Sequence, residues 1–253
     1  MTSAQLSDGG NFVEEAYSHK NIRVSRADLG KDPDEVSAMF DGVAKRYDII
    51  NDLLSLGRTK AWRKLATKII DPKPAMKILD IAAGTGSSSR PLKDAGAEVI
   101  PLDFSKGMIA AGKKRNPDLP FTQGDAMNLP FKDNEFDVTT ISFGLRNTNN
   151  YETALAQALR VTKPGGRMVV VEFSHPTNKI FRNIYMKYLM RALPKIAKLT
   201  SSNPSAYIYL AESIMAWPNQ KDLAAAMSKV GWQKVEWHNT TFGITAIHVG
   251  YKG

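Results

Sequence analysis

A chain of 253 residues, 43% apolar and 23% charged, is long enough to bury the core of one large α/β domain. Its formal net charge of +9 leaves three readings open: nucleic acid as partner, an anionic membrane surface, or solubility alone. With no cysteine the chain excludes disulfides, thiolate nucleophiles and cysteine-ligated zinc or iron–sulfur sites, and it shows neither an apolar run of about 18 residues nor an apolar signal core in Met1–Glu15, so the expected location is the cytoplasm.

Residues 1–34 are polar and irregular, with Gly9-Gly10 and Asp32-Pro33, and are read as a flexible tail before a single domain over 35–253. From Asp34 to Lys68 apolar residues recur at helical spacing, among them Val36, Phe40, Val43, Tyr47, Leu53, Trp62, Leu65 and, just beyond, Ile69. Pro72 and Pro74 close this helical preface. Strands are predicted over 76–81, 98–102, near 120–122, 136–143 and 166–173, with helices over 87–95, 105–115 and 151–161 between them. Such alternation implies a parallel sheet with right-handed crossovers. After residue 175 three helices are expected, 179–192, 205–215 and 219–230, and then strands over 233–240 and 244–251. Only Thr241, Phe242 and Gly243 part those strands, so they should form a hairpin and place an antiparallel strand in the sheet. The expected fold is α/β, a Rossmann-like doubly wound sheet of the class I methyltransferase plan, with N-terminal and lid helices and a C-terminal antiparallel hairpin.

The chemistry begins at Ile78-Leu-Asp-Ile-Ala-Ala-Gly-Thr-Gly86, where an apolar strand runs into a turn of small residues. Asp103, 23 positions after Asp80, tips the next strand and could take the two hydroxyls of a ribose. A dinucleotide fingerprint would carry a third glycine where Ser89 stands, and no phosphate-binding loop with the G-x-x-x-x-G-K-[ST] pattern occurs. The acid-tipped second strand favours S-adenosylmethionine, which has ribose hydroxyls but no pyrophosphate. The plainer alternatives are a tight strand-to-helix turn for the glycines, a helix cap or turn acid for Asp80, and a turn acid for Asp103.

Further along, Asp133 and Asp137 bracket Phe136 and are expected in solvent. Of the histidines, His19 falls in the tail, His175 in a loop, and His238 and His248 in the hairpin; none belongs to a cluster with metal-ligand spacing, and no metal is expected. In Lys179–Lys198, Ile180, Phe181, Ile184, Tyr185, Tyr188, Leu189 and Leu193 share helical spacing. Arg182, Lys187, Arg191, Lys195 and Lys198 take the other side. This reads either as a basic amphipathic helix for a membrane surface or as a core helix with a solvated basic face. Nucleic acid is not expected, since no aromatic–basic interleaving is visible.

Together these segments resemble the ubiquinone/menaquinone biosynthesis C-methyltransferases. The resemblance is carried by Tyr47–Ser55 with Trp62, by Leu79–Gly86, by Ile141-Ser-Phe-Gly-Leu-Arg-Asn147, by Arg160–Gly166 running to Glu172-Phe-Ser174, and by Tyr209–Ile214. It covers about residues 36–253. The chain departs from the pattern at Ile50, Thr59, Ala83 and Thr162, which blurs the choice of quinone. The Ile50 and Thr59 changes look like those of menaquinone-making actinobacterial relatives.

The resemblance implies S-adenosyl-L-methionine as cofactor, held by Asp80, Gly84, Thr85 and Gly86 of the turn, with Thr85 at the methionine part. Asp103 would take the ribose, Asp125 and Ala126 the adenine, and Ser142 the methionine end. Arg146 and Asn147 would lie beside the methyl group as catalytic residues, with Tyr207, and also Tyr209 and Glu212, on a lid helix. The implied reaction is methylation of a ring carbon of demethylmenaquinol. A ubiquinone precursor, another small phenol or RNA remains the alternative acceptor. A prenylated quinol, peripheral contact at the inner face of the plasma membrane through 179–198, and a homo-oligomer complete the expectation.

Overall fold

The computed structural model describes residues 57–192 and 204–253, together with Met39. The expected tail, the first part of the helical preface, the Tyr47–Ser55 segment and Leu193, Lys195 and Lys198 lie outside the described residues.

The first described helix, α1 (Thr59–Ile70), buries Trp62, Ala66 and Ile70, residues four apart on one face. It stops at Asp71, which takes a left-handed conformation just before Pro72. The chain then alternates through β1 (Lys77–Ile81), α2 (Ser89–Asp94), β2 (Glu98–Asp103), α3 (Lys106–Arg115), β3 (Thr122–Gln123) and β4 (Phe136–Ser142). A single 3-10 turn, Leu145–Asn147, leads to α4 (Tyr151–Val161) and β5 (Thr162–Phe173). Then come α5 (Lys179–Lys187), a π turn over Tyr188–Ala192, α6 (Pro204–Ala216), α7 (Gln220–Val230), β6 (Gln233–Thr240) and β7 (Thr245–Tyr251). Side chains start these helices where the backbone needs a partner: Ser105, Asn150, Asn178 and Asn219 accept from free amides of α3, α4, α5 and α7.

One seven-stranded sheet in the order β3-β2-β1-β4-β5-β7-β6 organises the molecule. Its first five strands are parallel, and β7 runs antiparallel between β5 and β6. Successive residues of the central strands point to opposite faces. Leu79, Ile81, Met168 and Val170 pack with Leu155, Ala158, Leu223 and Met227 of α4 and α7. Ile78, Val138, Val169 and Val171 pack with Ala66 and Ile70 of α1 and Leu92 of α2. Two apolar layers thus sandwich the sheet, as the unbroken apolar runs in β1 and β5 require.

Two details differ from the sequence reading. Strand β5 starts at Thr162 rather than 166, because Thr162 pairs with Phe136 before the register shifts. Thr162, one of the departures from the family pattern, is fully buried and satisfied: its hydroxyl lies 3.1 Å from that of Thr139 and 2.7 Å from the Ala158 carbonyl. Asp137 is only half-exposed, since its carboxylate accepts from the Lys77 amide and from the Lys163 ammonium. Because Phe173 pairs with Thr245, the β6–β7 turn at Thr241–Gly243 sits at the carboxyl end of β5, beside the loops that follow the parallel strands.

Candidate functional site

The candidate residues from Asp80 to Asn147 fall at or near the carboxyl ends of the parallel strands, where a doubly wound sheet opens a crevice, and Tyr207, Tyr209 and Glu212 lie on α6. The loop after β1 is shaped by unusual backbone: Ala82, Gly84 and Gly86 all have positive φ. Gly86 is needed for space as well, because a β-carbon there would lie 2.8 Å from the Phe121 ring. Gly84 instead faces open space, with nothing within 4 Å of a β-carbon, so a ligand can approach its backbone. The loop after β4 nests against the first: Phe143 also has positive φ, and a β-carbon on Gly144 would stand 2.4 Å from that of Ala82.

Asp103 ties the first two loops together. One carboxylate oxygen accepts from the Gly84 amide at 2.7 Å, the other from the Ser105 amide at 2.8 Å. It is therefore a turn acid and also the residue that fixes the glycine loop. Asp80 is fully buried and accepts from the hydroxyls of Ser88 at 2.7 Å and Ser89 at 2.5 Å, while its second oxygen has no hydrogen-bond partner. Burial pushes its pKa up to about 6; the Ser89 and Ser88 hydroxyls oppose that rise and the nearby Asp103 charge adds to it.

Thr85 is buried, with its carbonyl accepting from Asn116 at 3.1 Å and its hydroxyl 3.1 Å from that of Ser87. Asp125 accepts from the Met127 amide at 2.8 Å in a local turn, and Ala126 beside it is buried. Ser142 ends β4, half-buried.

Arg146 is 4% exposed and so is not a surface residue capping the next helix. Its Nη1 donates to the Phe143 carbonyl at 2.6 Å and to Oε1 of Glu172 at 2.7 Å. Glu172 is 1% exposed, and its other oxygen accepts from the Arg146 amide at 3.3 Å. The guanidinium carbon lies 5.1 Å from the centre of the Phe173 ring, and Nε is buried without a partner. Phe173, Phe143 and Trp62 form an aromatic wall, their ring centres 5.1–6.1 Å apart. Trp62 Nε1 donates to Thr241 at 2.8 Å, which pins α1 to the hairpin turn.

On the lid side, Tyr209 donates to Asn147 Oδ1 at 3.3 Å. Tyr207 is also buried but belongs to the adjoining apolar cluster with Leu189, Ala211 and Ile214. Burial pushes the Tyr185 hydroxyl well above the ordinary phenol range, so Tyr185 stays neutral beside the arginine charge. His175 Nε2 meets the Trp217 carbonyl at 2.8 Å and His248 Nε2 the Gln220 carbonyl at 2.9 Å, while Nδ1 of His248 is buried without a partner. Among the described residues no group of three or more His, Asp or Glu is placed to hold a metal ion.

The sequence reading missed Glu172 as a partner, and it named Tyr207 and Tyr209 together without telling which one reaches Asn147. The first had a signal: a lone acid inside the apolar run Met168–Phe173, in a strand covered on both faces, has to find a cation.

The family described as the ubiE/COQ5 methyltransferase family matches residues 28–252. A demethylmenaquinone methyltransferase of Streptomyces avermitilis is 58% identical over 229 residues, 90% of this chain and 99% of its own. One of the same name from Mycobacterium tuberculosis is 53% identical, over 90% and 97%. A solved methyltransferase of Thermotoga maritima, titled a possible histamine N-methyltransferase, superposes with a TM-score of 0.62 at 20% identity, covering 86% of this chain and 100% of that one. A Haemonchus contortus phosphoethanolamine N-methyltransferase solved with S-adenosyl-L-methionine gives 0.57 at 15% identity, over 75% and 52%. The last two share the fold alone.

Proposed function

Because the chain belongs to the ubiE/COQ5 methyltransferase family, we propose that it methylates a ring carbon of demethylmenaquinol, with S-adenosyl-L-methionine as donor, to give menaquinol. The observation that carries this reading is the join between near-full-length relatives of that name and the site itself. Open space before Gly84, the unpartnered buried oxygen of Asp80 and the Asp103 carboxylate fit a cationic nucleoside donor.

Asp103 would receive the ribose hydroxyls, since a carboxylate accepts from more than two donors. Thr85, Gly84, Gly86 and Ser142 would line the methionine part, with Asp125 and Ala126 at the adenine. When bound, S-adenosylmethionine supplies a sulfonium methyl group to the attacking ring carbon, the sulfur keeps the electrons of the broken bond, and S-adenosylhomocysteine leaves. Arg146 acts on the acceptor: its charge lowers the energy of the deprotonated quinol oxygen, whose electrons move onto that ring carbon. The carbon's own proton leaves to water as the ring regains aromaticity. Asn147, with Tyr209 behind it, orients the ring, and Tyr207 supports the lid. Trp62, Phe143 and Phe173 exclude water, and holding donor and acceptor at attack distance supplies much of the rate. The reading extends to a cytoplasmic protein in peripheral contact with the inner face of the plasma membrane, where a prenylated quinol is dissolved.

Labelled S-adenosylmethionine, incubated with reduced demethylmenaquinone in detergent and in parallel with an RNA pool, should place label on the quinol ring. Label on RNA alone would overturn the reading. Asp103→Ala should weaken cofactor binding by calorimetry roughly 10-fold or more while the protein stays folded, given about 1.5–3 kcal/mol for hydrogen bonds to a charged group. Unchanged affinity would remove Asp103 from the site.

A further inference from the structure

The three most exposed large apolar side chains among the described residues are Phe242, Ile180 and Ile184, at 78%, 73% and 60%. Two of them lie on α5 and the third on the hairpin turn, far apart in sequence. The Phe181 and Phe242 rings meet edge to face at 5.5 Å, which clips the turn to the helix. No side chain of α5 is buried. Tyr185 packs on the Tyr207 cluster and Phe181 on Phe242, both partly covered, and Ile180 and Ile184 are left as an outer ridge.

The charge on the helical segment that carries Ile180 and Ile184 has one sign. Among the described residues from Phe173 to Ala192 there are four cations, Lys179, Arg182, Lys187 and Arg191, and no acid. Lys179, Lys187 and Arg191 are exposed. An apolar ridge on a basic helix that carries no acid matches a bilayer with anionic headgroups, where the apolar tips enter the acyl boundary and the cations stay with phosphate. A protein partner would be expected to meet a mixture of both charges.

We infer that Ile180, Ile184 and Phe242 form a two-element docking surface for an anionic lipid bilayer. It opens at the carboxyl end of β5, the end that carries Arg146, so a lipid-dissolved acceptor could pass to the site without crossing water. This purpose rests on the prenylated-quinol reading, whereas lipid binding can be measured with no quinol present.

The experiment is flotation of the full chain with phosphatidylglycerol-containing vesicles and with phosphatidylcholine vesicles, alongside Ile180→Ser/Ile184→Ser, Phe242→Ser and the triple variant. Wild type should float with the anionic vesicles and less so as salt rises, and the triple variant should bind roughly tenfold or more weakly. Methyl transfer to a tailless quinol in detergent should be unchanged in the variants, which shows that they fold. The inference fails if wild type floats with neither vesicle, or if the triple variant floats as wild type does. It fails too if light scattering shows the substitutions breaking up a dimer while flotation is unaltered, which would make the ridge a self-association face.

Discussion

At the scale of single residues, the consequential pair is Arg146 with Glu172. A buried guanidinium is tolerable only while its counter-charge is present, and breaking such a pair costs about 3–5 kcal/mol. Glu172→Gln keeps the shape and removes the charge. It should lower the melting midpoint by roughly 6–12 °C and cut kcat more than it raises KM, because the guanidinium loses its fixed direction. Thermal scans and steady-state kinetics check both; a variant with wild-type midpoint and rate would remove Glu172 from any positioning role. The sequence made Gly84, Gly86, Asp103 and Arg146 legible, because small residues and acids at strand ends have few other uses. It could not show that Arg146 is spoken for by Glu172, or that Tyr209 rather than Tyr207 meets Asn147. Those pairings depend on which strands and helices become neighbours, 26 and 62 residues apart.

Among the elements, α5 shows where periodicity loses its power. Ile180 and Ile184 form one stripe, Phe181 and Tyr185 another, and both have a spacing of four. A pattern that places all of them on one face cannot tell which stripe will face α6. Packing against the Tyr207 cluster decides it for Tyr185, and Ile180 and Ile184 are left outside. Strand β5 is a similar case. Lys163-Pro-Gly-Gly166 reads as a turn, so the sequence starts the strand after it; the pairing of Thr162 with Phe136 extends the strand across the same residues. The alternation of β1 to β5, by contrast, was plain, because buried parallel strands are continuous apolar runs bounded by turn residues.

For the molecule as a whole, two buried groups pull its acid stability in opposite directions. Asp80 rises from 3.8 to about 6, so the folded state holds the proton more tightly than the unfolded state, and stability falls as pH rises through that window. His248, fully buried with Nε2 at the Gln220 carbonyl, drops from 6.5 to about 4, chiefly through burial. There the unfolded state binds the extra proton, and stability rises over nearly the same span. Each contribution is about 3 kcal/mol, so they offset one another. Asp80→Asn should leave the His248 slope exposed, with stability climbing from pH 4 to 6.5; His248→Gln should leave the Asp80 slope, with stability falling from pH 4 to 6. Denaturant titrations of the ligand-free protein at several pH values test this, and identical slopes in all three proteins would refute it. The same Asp80 proton should weaken binding of a cationic donor below about pH 6, since the neutral acid no longer attracts it.

The close nesting of the β1 and β4 loops sets the order in which this chain can change. Alanine at 144 is barred while Ala82 keeps its methyl group, since the two β-carbons would stand 2.4 Å apart, and the next nearest atom is at 3.5 Å. Ala82→Gly costs little at a position with φ of 52° and empties that space. Gly144→Ala alone should therefore yield a destabilised, poorly active protein, while the same change made after Ala82→Gly should be nearly silent. A lineage can reach the double variant by one path and not by its reverse, so a single missing methyl group makes this site's history directional.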